Sequence, residues 1–217
     1  MRRRPPAGLF ALSPGDLTVS KGAAFLRSAR ACVQEGGLRA VLLREPQLPD
    51  GPSLAILKDL CELRTEHAGL WIGIHDRAHL AFAAGADGVH LGFRSLRACD
   101  ARIVVGDGCA VGCSTHAGDR HSTWHDADYL FHGPVHDTPS KRGLALPIGY
   151  DGLAEFCFGA ERPVWGLGGL DPQHARDIRR TGAAGPAVLR GVFGAADPVA
   201  ACLAWNRAWS GAAEVRP

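Results

Sequence analysis

Eight short apolar runs, separated by stretches of helical pattern along 217 residues, restrict this chain to a parallel α/β architecture. The runs are Leu9 to Leu12, Ala40 to Leu43, Leu70 to Ile74, Gly88 to Leu91, Ala110 to Cys113, Tyr129 to His132, Val164 to Leu167 and Pro186 to Leu189. Helical patterns lie between them at Lys21 to Glu35, Ser53 to His67, Arg77 to Ala84, Leu96 to Ile103, Pro172 to Thr181 and Pro198 to Trp209. The alternation persists to an eighth run and a final helix, which suits a closed (β/α)8 TIM barrel better than an open sheet. A barrel of this kind needs roughly 200 to 250 residues, so the chain is expected to form one domain over 1–217, with flexible tails at 1–7 and 211–217.

Local punctuation agrees. Asp171-Pro172 and Asp197-Pro198 each put an N-cap acid before a proline at the first helical position, where the missing N–H is not needed. Gly85-Ala86 and Gly182-Ala183 follow helices and lead into strands, as C-terminal glycine caps do. The recurrence fits either a half-barrel duplication or plain loop chemistry.

Composition narrows the function classes. The net charge of +2 comes from nearly balanced acids and bases without a long basic run, so neither nucleic acid nor a membrane surface is indicated. The apolar run after Met1-Arg-Arg-Arg-Pro-Pro6 is too short for a signal peptide, and no stretch reaches membrane-spanning length. Seven scattered cysteines without a C-x-x-C pair read as reduced core residues, so a cytoplasmic location is expected.

In a barrel of this type the chemistry collects just after the strands. Those positions hold Ser13, Arg44, Glu45, His75, Asp76, His90, Ser114, Thr115, His116, Thr138, Ser140, Lys141, Gly168, Gly169 and Arg190. Cations, hydroxyls and glycine N–H groups are anion-binding chemistry, and phosphate is the common anion at the ends of strands seven and eight. A small phosphorylated substrate is therefore expected.

The order Leu43-Arg-Glu45, His75-Asp-Arg77, Ala86-Asp-Gly-Val-His-Leu-Gly92, Gly112-Cys-Ser-Thr-His116, Ala127-Asp-Tyr129, Gly133-Pro-Val135, Thr138-x-Ser-Lys141 and Gly166-x-Gly-Gly-Leu170 resembles the thiamine phosphate synthase and TenI family of barrels. The resemblance runs from Leu9 to about Ala201. It implies a thiazole-phosphate binder in thiamine biosynthesis and, for the synthases, Mg2+-dependent coupling of a pyrimidine pyrophosphate to that thiazole. It assigns Gly168 and Gly169 to the thiazole phosphate; Thr138, Ser140 and Lys141 to the space between the substrates; and Ser114 and His90 to the pyrimidine side. Arg44 and His75, with Arg190 after the last strand as a phosphate ligand, complete the expected binding set.

The chain departs from the synthase pattern on the pyrophosphate side. Leu42-Leu-Arg-Glu-Pro46 stands where synthases show Gln-Leu-Arg-Glu-Lys, His75-Asp76 where they show Asn-Asp, and Ser95 where they place a second metal-binding aspartate. Mg2+ in such sites is held by one or two carboxylates plus substrate phosphates, so Asp76 alone leaves half the usual anchorage, unless Asp100 substitutes. TenI proteins resemble synthases that lack this half, and some isomerise the thiazole using a sixth-strand histidine, a position occupied here by Pro134. If that strand stays extended, His132 and His136 share its face and either could act as general acid or base.

The favoured reading is a diverged TenI-like member with His132, His136, Lys141 and Ser114 as catalytic candidates. An active synthase is the alternative, and a non-catalytic thiazole-phosphate binder the reading of another class. Five of the ten histidines fall between His116 and His136, yet no ligand-spaced pair accompanies them; His121 and His125 read as one solvated helix face. Trp205 and Trp209, at helical spacing, read as core or as a homodimer contact.

Overall fold

The computed structural model describes residues 4–138 and 146–212. Eight parallel strands close into a barrel in chain order: β1 (Phe10–Leu12), β2 (Ala40–Leu43), β3 (Trp71–His75), β4 (Gly88–Leu91), β5 (Ala110–Thr115), β6 (Tyr129–His132), β7 (Val164–Leu167) and β8 (Gly185–Val188), with β8 returning to pair with β1. The surrounding helices are α1 (Gly22–Gln34), α2 (Asp50–Glu62), α3 (Ala78–Ala84), α4 (Ala98–Val105), α5 (Gly149–Gly159), α6 (Ala175–Arg180) and α7 (Pro198–Gly211). The fold is thus the (β/α)8 barrel expected from the alternation.

The strand interior is filled by aromatic rings set against small neighbours. Phe10 meets Trp71 edge to face at 5.1 Å and Phe131 at 4.9 Å, and Trp165 closes the same cluster. The indole of Trp71 lies where a Cβ on Gly88 would be, at 2.3 Å, and the Tyr129 ring lies 2.1 Å from the corresponding point on Gly112. Neither glycine can gain a side chain without displacing a ring from the core. On the outer strand faces, Val41, Ile72, Val89, Val111 and Leu130 pack against the helices.

The N-terminal end of the barrel is fastened by two buried aspartates from the recurring Ala-Asp phrase. Asp87 accepts the Ile72 N–H at 2.8 Å and pairs with Arg64 at 2.9 Å; Asp128 accepts the Val111 N–H at 2.8 Å and pairs with Arg102. Each buried carboxylate is therefore both paired and hydrogen-bonded, as burial of a charge requires. These aspartates serve stability, at the end opposite the chemistry.

Three sequence expectations change. Helix α5 was not among the predicted helices, because Gly149, Gly152 and Gly159 dilute its pattern; the interior Gly152 costs about 1 kcal/mol of helix propensity, and burial of Leu153 against the barrel offsets that. The segment Pro172 to Thr181 divides into a 3-10 turn at Pro172–His174 and α6, the turn being fixed by a reciprocal cap between Asp171 and His174. His121 sits in a 3-10 turn (His121–Thr123) that ends before His125, so the two share no α-helical face. Trp205 is core, while Trp209 is partly buried under the Arg179 guanidinium at 5.0 Å.

Candidate active site

Strand alternation sends every second residue inward, and at the C-terminal ends this brings Arg44, His75, His90 and Ser114 to the barrel mouth. His90 Nε2 lies 2.9 Å from Ser114 Oγ, its ring stacks on Phe131 at 4.0 Å, and the His75 ring is 6.1 Å away. Ser13, fully buried, accepts the Arg44 N–H at 2.7 Å and so ties the ends of β1 and β2 together. Among the described residues His90 Nδ1 is buried without a partner, leaving one polar atom of the mouth unspent.

Electrostatics keep both histidines neutral. Burial, reinforced by the Arg44 charge, lowers His75 to about 4. Burial, then the neighbouring His75 and Arg44, holds His90 well below its usual range. Arg44 is consequently the fixed positive charge of this cluster at neutral pH, and the imidazoles serve as hydrogen-bonding walls.

Asp76 follows β3 with φ 71°, left-handed backbone that an aspartate rarely adopts, and its N–H donates to the His90 carbonyl at 2.8 Å. Ser95 Oγ accepts the Gly92 N–H at 2.8 Å, so it closes the loop after β4. Asp100 pairs with Arg97 at 2.8 Å on the surface and does not take the place of the carboxylate absent at Ser95. Among the described residues no group of three or more His, Cys, Asp or Glu side chains is placed to hold a metal ion. Glu45 lines the same cavity but spends both oxygens on backbone N–H groups, so Asp76 could hold a hard cation such as Mg2+ only together with oxygens from a bound ligand.

The sixth-strand histidines are placed differently from the parity expectation. Strand β6 ends at His132, whose side chain points outward: its ring stacks on Phe156 of α5 at 3.6 Å and Nδ1 lies 2.8 Å from Thr115 Oγ1. Burial lowers His132 to about 4. His136 lies beyond the strand, with Nε2 3.0 Å from the Tyr150 hydroxyl and its ring 4.7 Å from His174; burial and then His174 lower its pKa. Neither histidine joins the mouth cluster.

Gly168 and Gly169 form the turn after β7 with φ 104° and 65°. A Cβ on Gly169 would lie 2.7 Å from the Asp137 carbonyl and from His136 Cβ, and the Gly168 carbonyl accepts the His136 N–H at 3.1 Å. The pair is thus required both by backbone conformation and by the close approach of the loop after β6. Thr138, in the segment after β6, is half-buried; Ser140 and Lys141 lie outside the described residues. Arg190 is exposed and lines a groove with Leu17 of the loop after β1 and Phe25 of α1.

Two residues support these loops: Glu45, already among the residues that follow the strands, and Tyr150, absent from that set. Glu45 is buried and accepts the Gly15 and Leu17 N–H groups at 2.8 Å each, holding the loop after β1. Tyr150 orders His136 from the helix the glycines disguised. Glu45 had a usable signal, a charged residue directly after an apolar strand; Tyr150 had none.

The thiamine monophosphate synthase family model matches residues 13–192. A thiamine-phosphate synthase of Anaeromyxobacter dehalogenans is 35% identical over 205 residues, covering 94% of this chain and 91% of that protein. A putative thiamine-phosphate synthase of Geobacter sulfurreducens is 38% identical over 165 residues, covering 75% and 77%. The thiamine biosynthesis bifunctional protein ThiM/ThiE of Symbiobacterium thermophilum is 38% identical over 174 residues, 79% of this chain but only 36% of that longer protein. Among solved structures, thiamine phosphate pyrophosphorylase from Pyrococcus furiosus superposes with a TM-score of 0.80 at 27% identity, covering 95% and 96%. With the barrel, the mouth and these likenesses in agreement, this chain belongs to the thiamine monophosphate synthase family.

Proposed function

We propose that the protein is an active thiamine phosphate synthase, joining a pyrimidine pyrophosphate to a thiazole phosphate with release of pyrophosphate. The carrying observation is the Arg44, His75, His90 and Ser114 cluster, assembled at the end of the barrel that also bears the Gly168-Gly169 turn. In this reading the thiazole phosphate meets the backbone N–H groups of that turn, and Thr138 on the neighbouring loop is a donor to the substrates, with Ser140 and Lys141, outside the described residues, as further candidates. His90 and Ser114 position the pyrimidine. Arg44 stabilises the negative charge that develops on the departing pyrophosphate, a contact of a kind typically worth about 3 kcal/mol of barrier.

Asp76 would hold Mg2+ carried on the pyrophosphate, and the ion would supply further charge neutralisation there. The family's relatives named as synthases support this reading over the isomerase favoured from sequence alone. So does the position of His132, whose ring faces α5 instead of the mouth. Small phosphorylated substrates are the partners; no helix of the described residues is long and apolar enough to cross a membrane. We place the protein in the cytoplasm and treat the whole chain as one functional domain.

The test is formation of thiamine phosphate from the two substrates and Mg2+. Turnover by the wild type that collapses in Arg44→Ala supports the synthase. Absent turnover with retained thiazole-phosphate binding would replace it with the non-catalytic binder.

A further inference from the structure

A groove of about 600 Å3 lies outside the mouth, between the loop after β1, the face of α1 and the loop after β8. Its floor is apolar: Leu17 and Phe25 are buried, and Phe25 meets Phe193 edge to face at 5.1 Å. Two cations, Lys21 and Arg190, line it. Asp16 is the single acid lining it and lies 3.8 Å from Lys21 Nζ. Arg190 makes no ion pair or hydrogen bond among the described residues. An unspent guanidinium beside an aromatic floor is a receptor for an anion with an apolar body, because the planar fork takes carboxylate or phosphate oxygens in pairs while the rings accept the remainder.

The groove and the mouth share the loop after β1, which the Glu45 contacts hold in place. Glu45 fixes Gly15 and Leu17; a Cβ on Gly15 would lie 3.3 Å from the Arg44 guanidinium, whereas Leu17 lines the groove. One short loop thus presents a face to each.

We propose that this groove is a second ligand site, for a small organic anion with an aromatic or branched apolar body and a terminal phosphate or carboxylate, distinct from the barrel mouth. Its volume falls within the range of about 300 to 1,000 Å3 usual for small-molecule pockets. The proposal does not depend on the synthase reading.

The experiment is calorimetric titration of the full chain with phenyl phosphate, benzoate and inorganic phosphate, repeated with Arg190→Gln, Phe193→Ala and the mouth variant Ser114→Ala. Saturable binding of phenyl phosphate or benzoate is expected, with inorganic phosphate at least about 10-fold weaker for want of the apolar body. The stronger of the two organic probes identifies the anion. Arg190→Gln and Phe193→Ala should each weaken that binding about 10-fold, and Ser114→Ala should leave it unchanged. Absence of saturable binding of either organic probe overturns the proposal. So does binding that persists in both groove variants, or that Ser114→Ala abolishes.

Discussion

His90 Nε2 and Ser114 Oγ, 2.9 Å apart on adjacent strands, form the polar floor of the barrel mouth. Both side chains point inward because His90 pairs with Gly112 across the sheet, and Ser114 follows Gly112 by one full alternation. Ser114→Ala removes the partner of Nε2 while Nδ1 is already unpartnered, leaving a buried imidazole without a bond among the described residues. Such a loss costs about 1 to 3 kcal/mol. The expected outcome is a fall of at least about 10-fold in kcat/KM for coupling with the circular dichroism spectrum preserved. Unchanged coupling kinetics would remove this pair from the site.

Acid destabilisation follows from the buried histidines. His75 and His132 lie at about 4 in the folded chain against 6.5 for an ordinary histidine, and His90 is lowered as well. Each takes up a proton on unfolding between those values, so the unfolded state binds more protons there and stability rises with pH. The full contribution is present above about 6.5 and is lost progressively as pH falls towards 4. The loss is of order 3 kcal/mol for each fully shifted histidine. His132→Phe keeps a ring against Phe156 and removes one titrating group. Urea denaturation at pH 7 and pH 5 should show a smaller pH difference in this variant than in the wild type.

The barrel was legible because its signal is collective: eight apolar runs need only be roughly placed for their number and order to fix the topology. The mouth was legible for a similar reason, since residues after parallel strands converge whatever the local detail. His132 was not, because within β6 it alternates with the inward Tyr129 and Phe131 and so faces the helices, and a face shared with His136 requires a strand that runs past Gly133. Arg190 follows β8 in sequence as a phosphate ligand would, but a long side chain on an exposed loop can turn outward, and here it lines the outer groove. Leu42, which stands at the glutamine of the Gln-Leu-Arg-Glu-Lys pattern, is fully buried in the barrel core with Leu12 and Ala40, so that substitution is absorbed by packing.

Glu45→Gln should uncouple the loop after β1 from the barrel. The carboxylate accepts two backbone N–H groups at 2.8 Å, and an amide offers a single acceptor oxygen in their place. Loss of one charge-assisted bond at a buried site costs about 1.5 to 3 kcal/mol, which for a chain of this size lowers Tm by very roughly 3 to 12 °C. Differential scanning calorimetry gives the stability term. Because Gly15 backs Arg44, the KM for the pyrimidine pyrophosphate should also rise; a Tm loss with unchanged KM would limit Glu45 to stability.

Gly169→Ala tests the turn after β7. The residue has φ 65°, and the added methyl would meet the Asp137 carbonyl and His136 Cβ at 2.7 Å. The conformational penalty alone is about 1 kcal/mol or more, and the contact displaces the loop after β6. Thiazole-phosphate binding, measured by calorimetry, should weaken at least about 10-fold while the fold persists. Binding at wild-type strength would mean that the phosphate lies elsewhere.

Ser95→Asp asks whether the donor set at the mouth limits metal use. Ser95 Oγ currently accepts the Gly92 N–H at 2.8 Å, and an aspartate there can keep that bond with one oxygen while presenting the other. Adding a carboxylate raises the negative charge available to a hard cation, and affinity for such ions follows ligand charge and number. If Asp76 is the present anchor, the Mg2+ concentration giving half-maximal coupling should fall about 10-fold in Ser95→Asp, and Asp76→Asn should raise it. A half-saturation that moves in neither variant would place the ion on the substrate phosphates alone, with the chain contributing only the Arg44 charge.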